Sequence, residues 1–250
     1  MHASLSSNLS GRYALAIHTA SPDLGLSISN FADDSRTQTW ALGRDVSSYL
    51  HLYLSKFIQP QTWQDLVFIA VAKGPGGFTG TRLGVVTART LAQQLDLPLF
   101  AISTLAAVAW ANAASLQTAD PAITDPATTD PATTDLAVQM PAQRGEVYGA
   151  IYRLSLAKSG DIADLTQAIS QQSLQVHNSL TAALPDRVLS QAQWQQTLAD
   201  WPHPYRLVQA EGELGATAEC LLALAYLEWQ TGARPHWSTA LPFYGQSPVV

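Results

Sequence analysis

Leu66-Val67-Phe68-Ile69-Ala70-Val71-Ala72 runs straight into Lys73-Gly74-Pro75-Gly76-Gly77-Phe78-Thr79-Gly80-Thr81-Arg82-Leu83-Gly84. Seven consecutive apolar residues suit a central strand buried on both faces. Gly74, Gly76, Gly77 and Gly80 then remove the Cβ from the turn, so the backbone can bend sharply and approach another group closely. Thr81 to Leu95 reads as a helix and Pro98-Leu99-Phe100-Ala101-Ile102 as the next strand. Strand, loop, helix, strand is a βαβ unit with parallel pairing, which sets the fold class as α/β.

Working outward, Tyr13 to Thr19 and Gly25 to Ser29 form an opening hairpin around Ser21-Pro22-Asp23, with a third strand near Arg36 to Trp40. Gly43 to Ile58 is a predicted helix. Val46, Leu50, Tyr53 and Phe57 follow helical spacing, while Tyr49, Leu52, Leu54 and Ile58 widen the apolar arc beyond one stripe, so this helix calls for burial on two sides. Leu105 to Ala114 is a further Ala-rich helix. From Asp120 the chain repeats Asp-Pro-Ala-Ile-Thr, Asp-Pro-Ala-Thr-Thr, Asp-Pro-Ala-Thr-Thr up to Asp135. Proline in each copy and little to bury make this an exposed tether. Leu136 to Met140 and Val147 to Leu154 read as strands around a turn at Gln143 to Glu146. Gln191 to Trp201 is polar and stays unassigned. Leu214 to Gln230 is a helix ended by Gly232 and Pro235.

With 250 residues, the chain has room for one large domain or two lobes of about 100 residues each. A hydrophobic fraction of 47% against 13% charged residues indicates a folded chain with much apolar surface to cover, some of it by another subunit. The net charge is −6 with no dense Lys or Arg run, which disfavours autonomous nucleic-acid binding. Cys220 is the only cysteine, which excludes an intramolecular disulfide and a cysteine metal cluster; its leucine neighbours make it a core residue. Ser-rich Met1 to Gly11 lacks a signal-type apolar stretch, and no run reaches the roughly 18 apolar residues of a membrane span. A cytoplasmic chain is expected.

The glycine-rich loop carries two readings. Free N–H groups at the following helix start, Thr79 and Thr81 as caps and Arg82 as a cation suit an anion. A purely structural turn needs the same glycines. No nucleotide fingerprint is met, since Lys-Ser/Thr is missing after the glycine and Thr79 stands where a third fingerprint glycine belongs. Gly80, Gly84, Ala88 and Ala92 recur every four residues and let a second element come close, either inside the chain or from another subunit. Catalytic groups are sparse. His18 at a strand end is the obvious candidate, and His2, His51, His177, His203 and His236 are scattered without a His-x-x-x-His pair. Asp33, Asp34 and Asp45 read as turn or cap residues.

The order Ala14-Leu15-Ala16-Ile17-His18-Thr19-Ala20-Ser21, then Val71 to Gly84, then Leu97-Pro98-Leu99 and Ile102-Ser103-Thr104-Leu105 resembles the TsaB family. So do Arg144-Gly145-Glu146-Val147-Tyr148 and Leu241-Pro242-Phe243-Tyr244. The resemblance implies a two-lobe actin-like fold of mixed sheets flanked by helices, and a non-catalytic dimerisation subunit of the complex that puts threonylcarbamoyl on tRNA adenosine next to the anticodon. It implies a TsaD-like catalytic partner and a TsaE-like ATPase, with tRNA met through the complex, and no metal or cofactor of its own; ATP or ADP would belong to the complex interface. It places the glycine-rich contact at Gly74, Pro75, Gly76, Gly77, Phe78, Thr79, Gly80, Arg82 and Gly84, and the partner interface on the first two helices at Val46, Tyr49, Leu50, Tyr53, Gly84, Ala88 and Ala92.

This sequence departs from the family pattern at four places, one of them the pentapeptide insert, which sits where a much shorter link is usual. His18 stands where an acid is usual, Val46-Ser47 where His-Ser is usual, and Pro141-Ala142-Gln143 where Asp-Ala-Arg is usual. The implied organisation is a disordered extension 1–11, an N-terminal lobe 12–117, the insert 118–135, a smaller lobe 136–213, and a helix and tail 214–250 packing back across the lobes. Two alternatives remain: an enzyme in its own right, as a nucleotide-dependent transferase or peptidase, and a self-associating homodimer built on the same helices.

Overall fold

The structure is a computed structural model that describes residues 11–117, 135–155 and 179–245. Most of the expected N-terminal extension and of the pentapeptide insert lies outside the described residues.

Two mixed sheets organise the chain. The first has five strands in the order β3-β2-β1-β4-β5, formed by β1 (Tyr13–His18), β2 (Leu24–Ser29), β3 (Ser35–Trp40), β4 (Leu66–Ala72) and β5 (Leu99–Ile102). β1, β2 and β3 pair antiparallel as the opening hairpin requires, and β4 pairs parallel with both β1 and β5. Period-two alternation splits β1 between two cores: Leu15 and Ile17 face one side, Ala14 and Ala16 the other.

The Leu15 side is covered by α1 (Val46–Phe57) and α2 (Phe78–Leu95). α1 enters through one 3-10 turn at Gly43–Asp45. α2 begins three residues before the sequence reading placed it. Its N-cap is Gly77, and Thr79 and Thr81 lie inside the helix rather than capping it. Further along the chain lie α3 (Thr104–Gln117), the short α4 (Gln191–Ala199) and α5 (Ala218–Gln230), and α5 covers the Ala14 side.

The second sheet has the order β8-β7-β6-β9, built from β6 (Asp135–Pro141), β7 (Glu146–Ser155), β8 (Ser179–Ser190) and β9 (Tyr205–Gln209). β6 already begins at Asp135, the last residue expected in the tether. Asp135 is fully buried and held by two hydrogen bonds from Arg153, each 2.8 Å, and one from Trp201 Nε1. α3 bridges the sheets: Ala107 joins the core of the first, while Leu105, Val108 and Ala109 pack on Leu136, Val138 and Ala150 of the second. α4 closes the far face through Trp194, which lies against Ala137, Val147 and Ile151 and donates from its ring N–H to Gln139. The tail returns across both sheets, with Phe243 N–H bonded to Lys73 O at 2.7 Å and Tyr148 O–H to Tyr244 O at 3.2 Å.

Candidate functional site

The glycine-rich loop turns β4 into α2 by leaning on the end of β1. A side-chain carbon at Gly76 would collide with the carbonyl of Ala20, one at Gly80 with the carbonyl of Thr19, and one at Gly84 with the Thr19 hydroxyl. Two hydrogen bonds hold the approach: Gly77 N–H to Ala20 O at 2.8 Å and Thr19 Oγ1 to Gly80 O at 2.7 Å. Gly74 has φ +97°, in the region that favours glycine, and its carbonyl accepts from Thr104 N at the start of α3. Pro75 is buried behind it. The space beside the Cα atoms of Gly76, Gly80 and Gly84 is filled by this chain's own β1 turn. The loop thus acts as a joint between β1, β4, α2 and α3, and the outer side of Gly76, Gly77 and Phe78 faces a cleft.

Beyond the joint, a cleft of about 780 Å³ opens between the two sheets. Ser21, Gly77 and Phe78 line one wall, and Met140, Arg144 and Tyr148 the other. Tyr244 closes one end, its ring 4.6 Å from that of Phe78. Pro141, Ala142 and Gln143, which replace the usual Asp-Ala-Arg, also face this cleft.

His18 is wholly buried beside it. Burial pushes its imidazole down to about 4, against a smaller opposing pull from Asp23, so the ring is neutral at ordinary pH. Its Nδ1 is 3.4 Å from Ser21 Oγ. Ser21 already donates to Asp23 at 2.5 Å and accepts from Leu214 N at 3.2 Å, while Gly215 N donates to the other Asp23 oxygen at 2.7 Å. The serine proton is thus committed to a carboxylate, and the nearby imidazole is a poor base. These three residues tie the first turn to the entry of α5 rather than making a nucleophile–base pair. Cys220 is inert by the same logic, its buried thiol pushed up to about 12. Among the described residues, no group of three His, Cys, Asp or Glu is placed to hold a metal, and no helix is long and apolar enough to cross a membrane.

The interface expected on the first two helices needs correction. Val46 and Leu50 point inward and join the core under α1. Gly84, Ala88 and Ala92 are also buried; the small stripe lets α2 approach β1 and the sheet instead of another subunit. Tyr53 is half-buried against Trp40, at 4.7 Å between ring centres. Of the expected residues only Tyr49, 46% exposed, reaches solvent freely. It is joined by Leu52 at 38% and Val86 at 52%. Leu52 was visible in the widened apolar arc of α1. Val86 carried no signal, because it sits opposite the small stripe. In the loop, Phe78, Thr79 and Arg82 are exposed, whereas Gly74 and Pro75 are buried.

A family model described as tRNA N6-adenosine threonylcarbamoyltransferase (TsaD) matches residues 60–129. The tRNA threonylcarbamoyladenosine biosynthesis protein TsaB of Bacillus subtilis is 56% identical over 46 residues, 18% of this chain and 20% of that protein. TsaB of Buchnera aphidicola is 46% identical over 48 residues, 19% of this chain and 23% of that protein. The aligned segments thus span about a fifth of the length of these curated relatives. Two solved structures from Pseudomonas aeruginosa match along the chain. One, described as similar to peptidase YEAZ, has TM-score 0.66 and 19% identity and covers 94% of this chain and 100% of the other. The second, YeaZ, has TM-score 0.63 and 20% identity, with coverage of 93% and 100%. The sequence matches are to TsaB over these short segments, and the two solved structures share the fold of this chain. The fold is the expected α/β arrangement of two mixed sheets flanked by helices, shared with these two structures.

Proposed function

We propose that this chain is the non-catalytic scaffold subunit of the assembly that forms threonylcarbamoyladenosine on tRNA beside the anticodon, and that it works by binding and activating a TsaD-like catalytic subunit. The observation that carries the reading is the outward face of α1 and α2. Tyr49, Leu52 and Val86 stand in water there, on a chain whose local sequence match is to TsaB. Burying Leu52 and Val86, each about half exposed, contributes on the order of 1 kcal/mol apiece to docking. A TsaE-like ATPase joins the same assembly, tRNA is reached through the complex, and ATP or ADP belongs at the shared interface rather than in this chain's own loop.

The test is gel filtration of the purified chain with the TsaD subunit of its own cell, followed by a tRNA modification assay. Co-elution and chain-dependent modification are expected. Separate elution, with modification proceeding unaided, would overturn the proposal.

A second reading, an activity of this chain alone, draws on Ser21 at the cleft wall with Asp23 and His18 nearby. It requires ester, peptide or nucleotide turnover by the isolated chain that disappears in Ser21→Ala. The committed serine proton and the neutral, weakly basic imidazole argue against it.

A further inference from the structure

Residues 240–245 tie the two sheets together at the cleft. The 3-10 turn Trp237–Thr239 delivers Ala240 into the core of the first sheet, where it is buried. Pro242 disfavours helix at Leu241 and has no N–H to offer a strand, so the segment crosses as irregular chain. Phe243 reaches both sides. Its N–H bonds to Lys73 O just after β4, and its side chain packs on the core of the second sheet. Gly74 makes this crossing possible, since a side-chain carbon there would collide with the carbonyl of Phe243. Tyr244 holds its ring 4.6 Å from that of Phe78 on α2, while its carbonyl accepts from Tyr148 on β7 at 3.2 Å. Gly245 then lies so close to Tyr148 and to Val188 of β8 that a side-chain carbon would collide with both.

The other links between the sheets are of a different kind. α3 is a regular helix packed into both cores, and Leu214 N–H holds Ser21 Oγ where the chain runs from β9 to α5. Residues 240–245 hold on through one hydrogen bond to Lys73 and one to Tyr148, with no regular structure of their own. A segment held in this way comes away at a smaller cost than the packed sheets it joins.

We propose that residues 240–245 are a releasable strap that sets the width of the cleft. In place, the strap holds the two sheets at one angle, with Tyr244 as the end wall. Released, it takes that wall away and lets the sheets swing apart about α3. The position of the strap thus decides how far Ser21, Arg144 and the other cleft residues stand apart. Leu241 marks the part of the segment that does not hold: it is 62% exposed and belongs to neither core. This goes beyond the scaffold reading and does not depend on it.

The experiment reads the distance between nitroxide labels on the two sides of the cleft by pulsed electron resonance. The labels sit on Thr79→Cys, exposed beside Phe78, and Gln143→Cys, exposed in the opposite wall, in a Cys220→Ala background. Labelled chain is diluted into excess unlabelled chain, so that only distances within one molecule are read. The otherwise unaltered strap should give one narrow distribution, and Leu241→Ala the same. Tyr244→Ala, which removes the ring contact with Phe78, and Gly245→Val, which pushes the strap off Tyr148 and Val188, should shift the distribution to longer distances and broaden it. A chain ending at Ala240 should shift furthest. Each variant is checked for folding by circular dichroism; if the shortened chain does not fold, Tyr244→Ala and Gly245→Val decide. A distribution unchanged in every folded variant would overturn the proposal. So would a broad distribution with the strap intact, or a shift in Leu241→Ala as large as that in Tyr244→Ala.

Discussion

Thr19 donates its hydroxyl proton to the carbonyl of Gly80 at 2.7 Å, while a side-chain carbon at Gly80 would strike the carbonyl of Thr19. This mutual contact fixes how close the loop after β4 can lie to the end of β1. Gly80→Ala should therefore destabilise the fold by about 1–3 kcal/mol, because backbone rather than a flexible side-chain end must move. Gly77→Ala is the control: its new carbon would sit 3.7 Å from Ala20 O, an ordinary contact, at a backbone conformation open to any residue. Its cost should stay within about 1 kcal/mol. Urea unfolding of the two variants distinguishes a joint under steric constraint from a loop that merely prefers glycine.

His18 sets a pH dependence whose sign follows from burial. Its folded value of about 4 lies below its ordinary 6.5, so the unfolded chain binds the extra proton first. Stability from this residue is constant above about pH 6.5 and declines as pH falls from there towards 4, by roughly 3 kcal/mol over the full interval. His18→Phe should remove that decline, whatever it does to stability at neutral pH. The measurement is the urea midpoint at pH 5 and pH 7.5 for both proteins. An equal shift in the two would show that other groups govern this window.

Asp135 works in the opposite direction. Burial pushes its carboxyl up, but the two Arg153 hydrogen bonds, the Trp201 N–H and the arginine charge outweigh this and hold it below the usual carboxylate range. Its contribution is fully present above about pH 4 and is lost as pH falls through the lowered folded value. Asp135→Asn should cost roughly 2 kcal/mol at pH 7, moderated because Arg153 is partly exposed and can return to water. The variant should also unfold with less dependence on acid below pH 4. Acid titration of both proteins by circular dichroism reads this out.

How much of this was legible beforehand depended on how strongly each segment signals its burial. β4 declares itself by seven apolar residues in a row, and the glycine loop beside it gives the βαβ turn. β8 does not, because as a sheet edge it buries little: its 12 residues are exposed or half-buried. β9 is equally quiet, with Val208 its one buried residue. α4 is held by a single large side chain, Trp194, in an otherwise polar stretch, so no periodicity marks it. Asp135 could not be told from the other repeat aspartates without Arg153 and Trp201 in view.

The docking face shows the same limit in a form that yields a prediction. Helical spacing groups Gly84, Ala88 and Ala92 on one face of α2 but does not say which way that face points. The close approach to Thr19 turns it inward, and Val86 outward. On the proposed scaffold role, Val86→Arg should abolish the complex with the TsaD subunit while shifting stability by less than about 0.5 kcal/mol, as surface changes usually do. Ala88→Leu should instead destabilise the chain by about 1–3 kcal/mol through overpacking, and weaken the complex only as far as it unfolds the protein. Calorimetry of binding beside urea unfolding of each variant separates the two effects. If Val86→Arg binds normally, the exposed apolar residues of α1 and α2 are not where the partner docks.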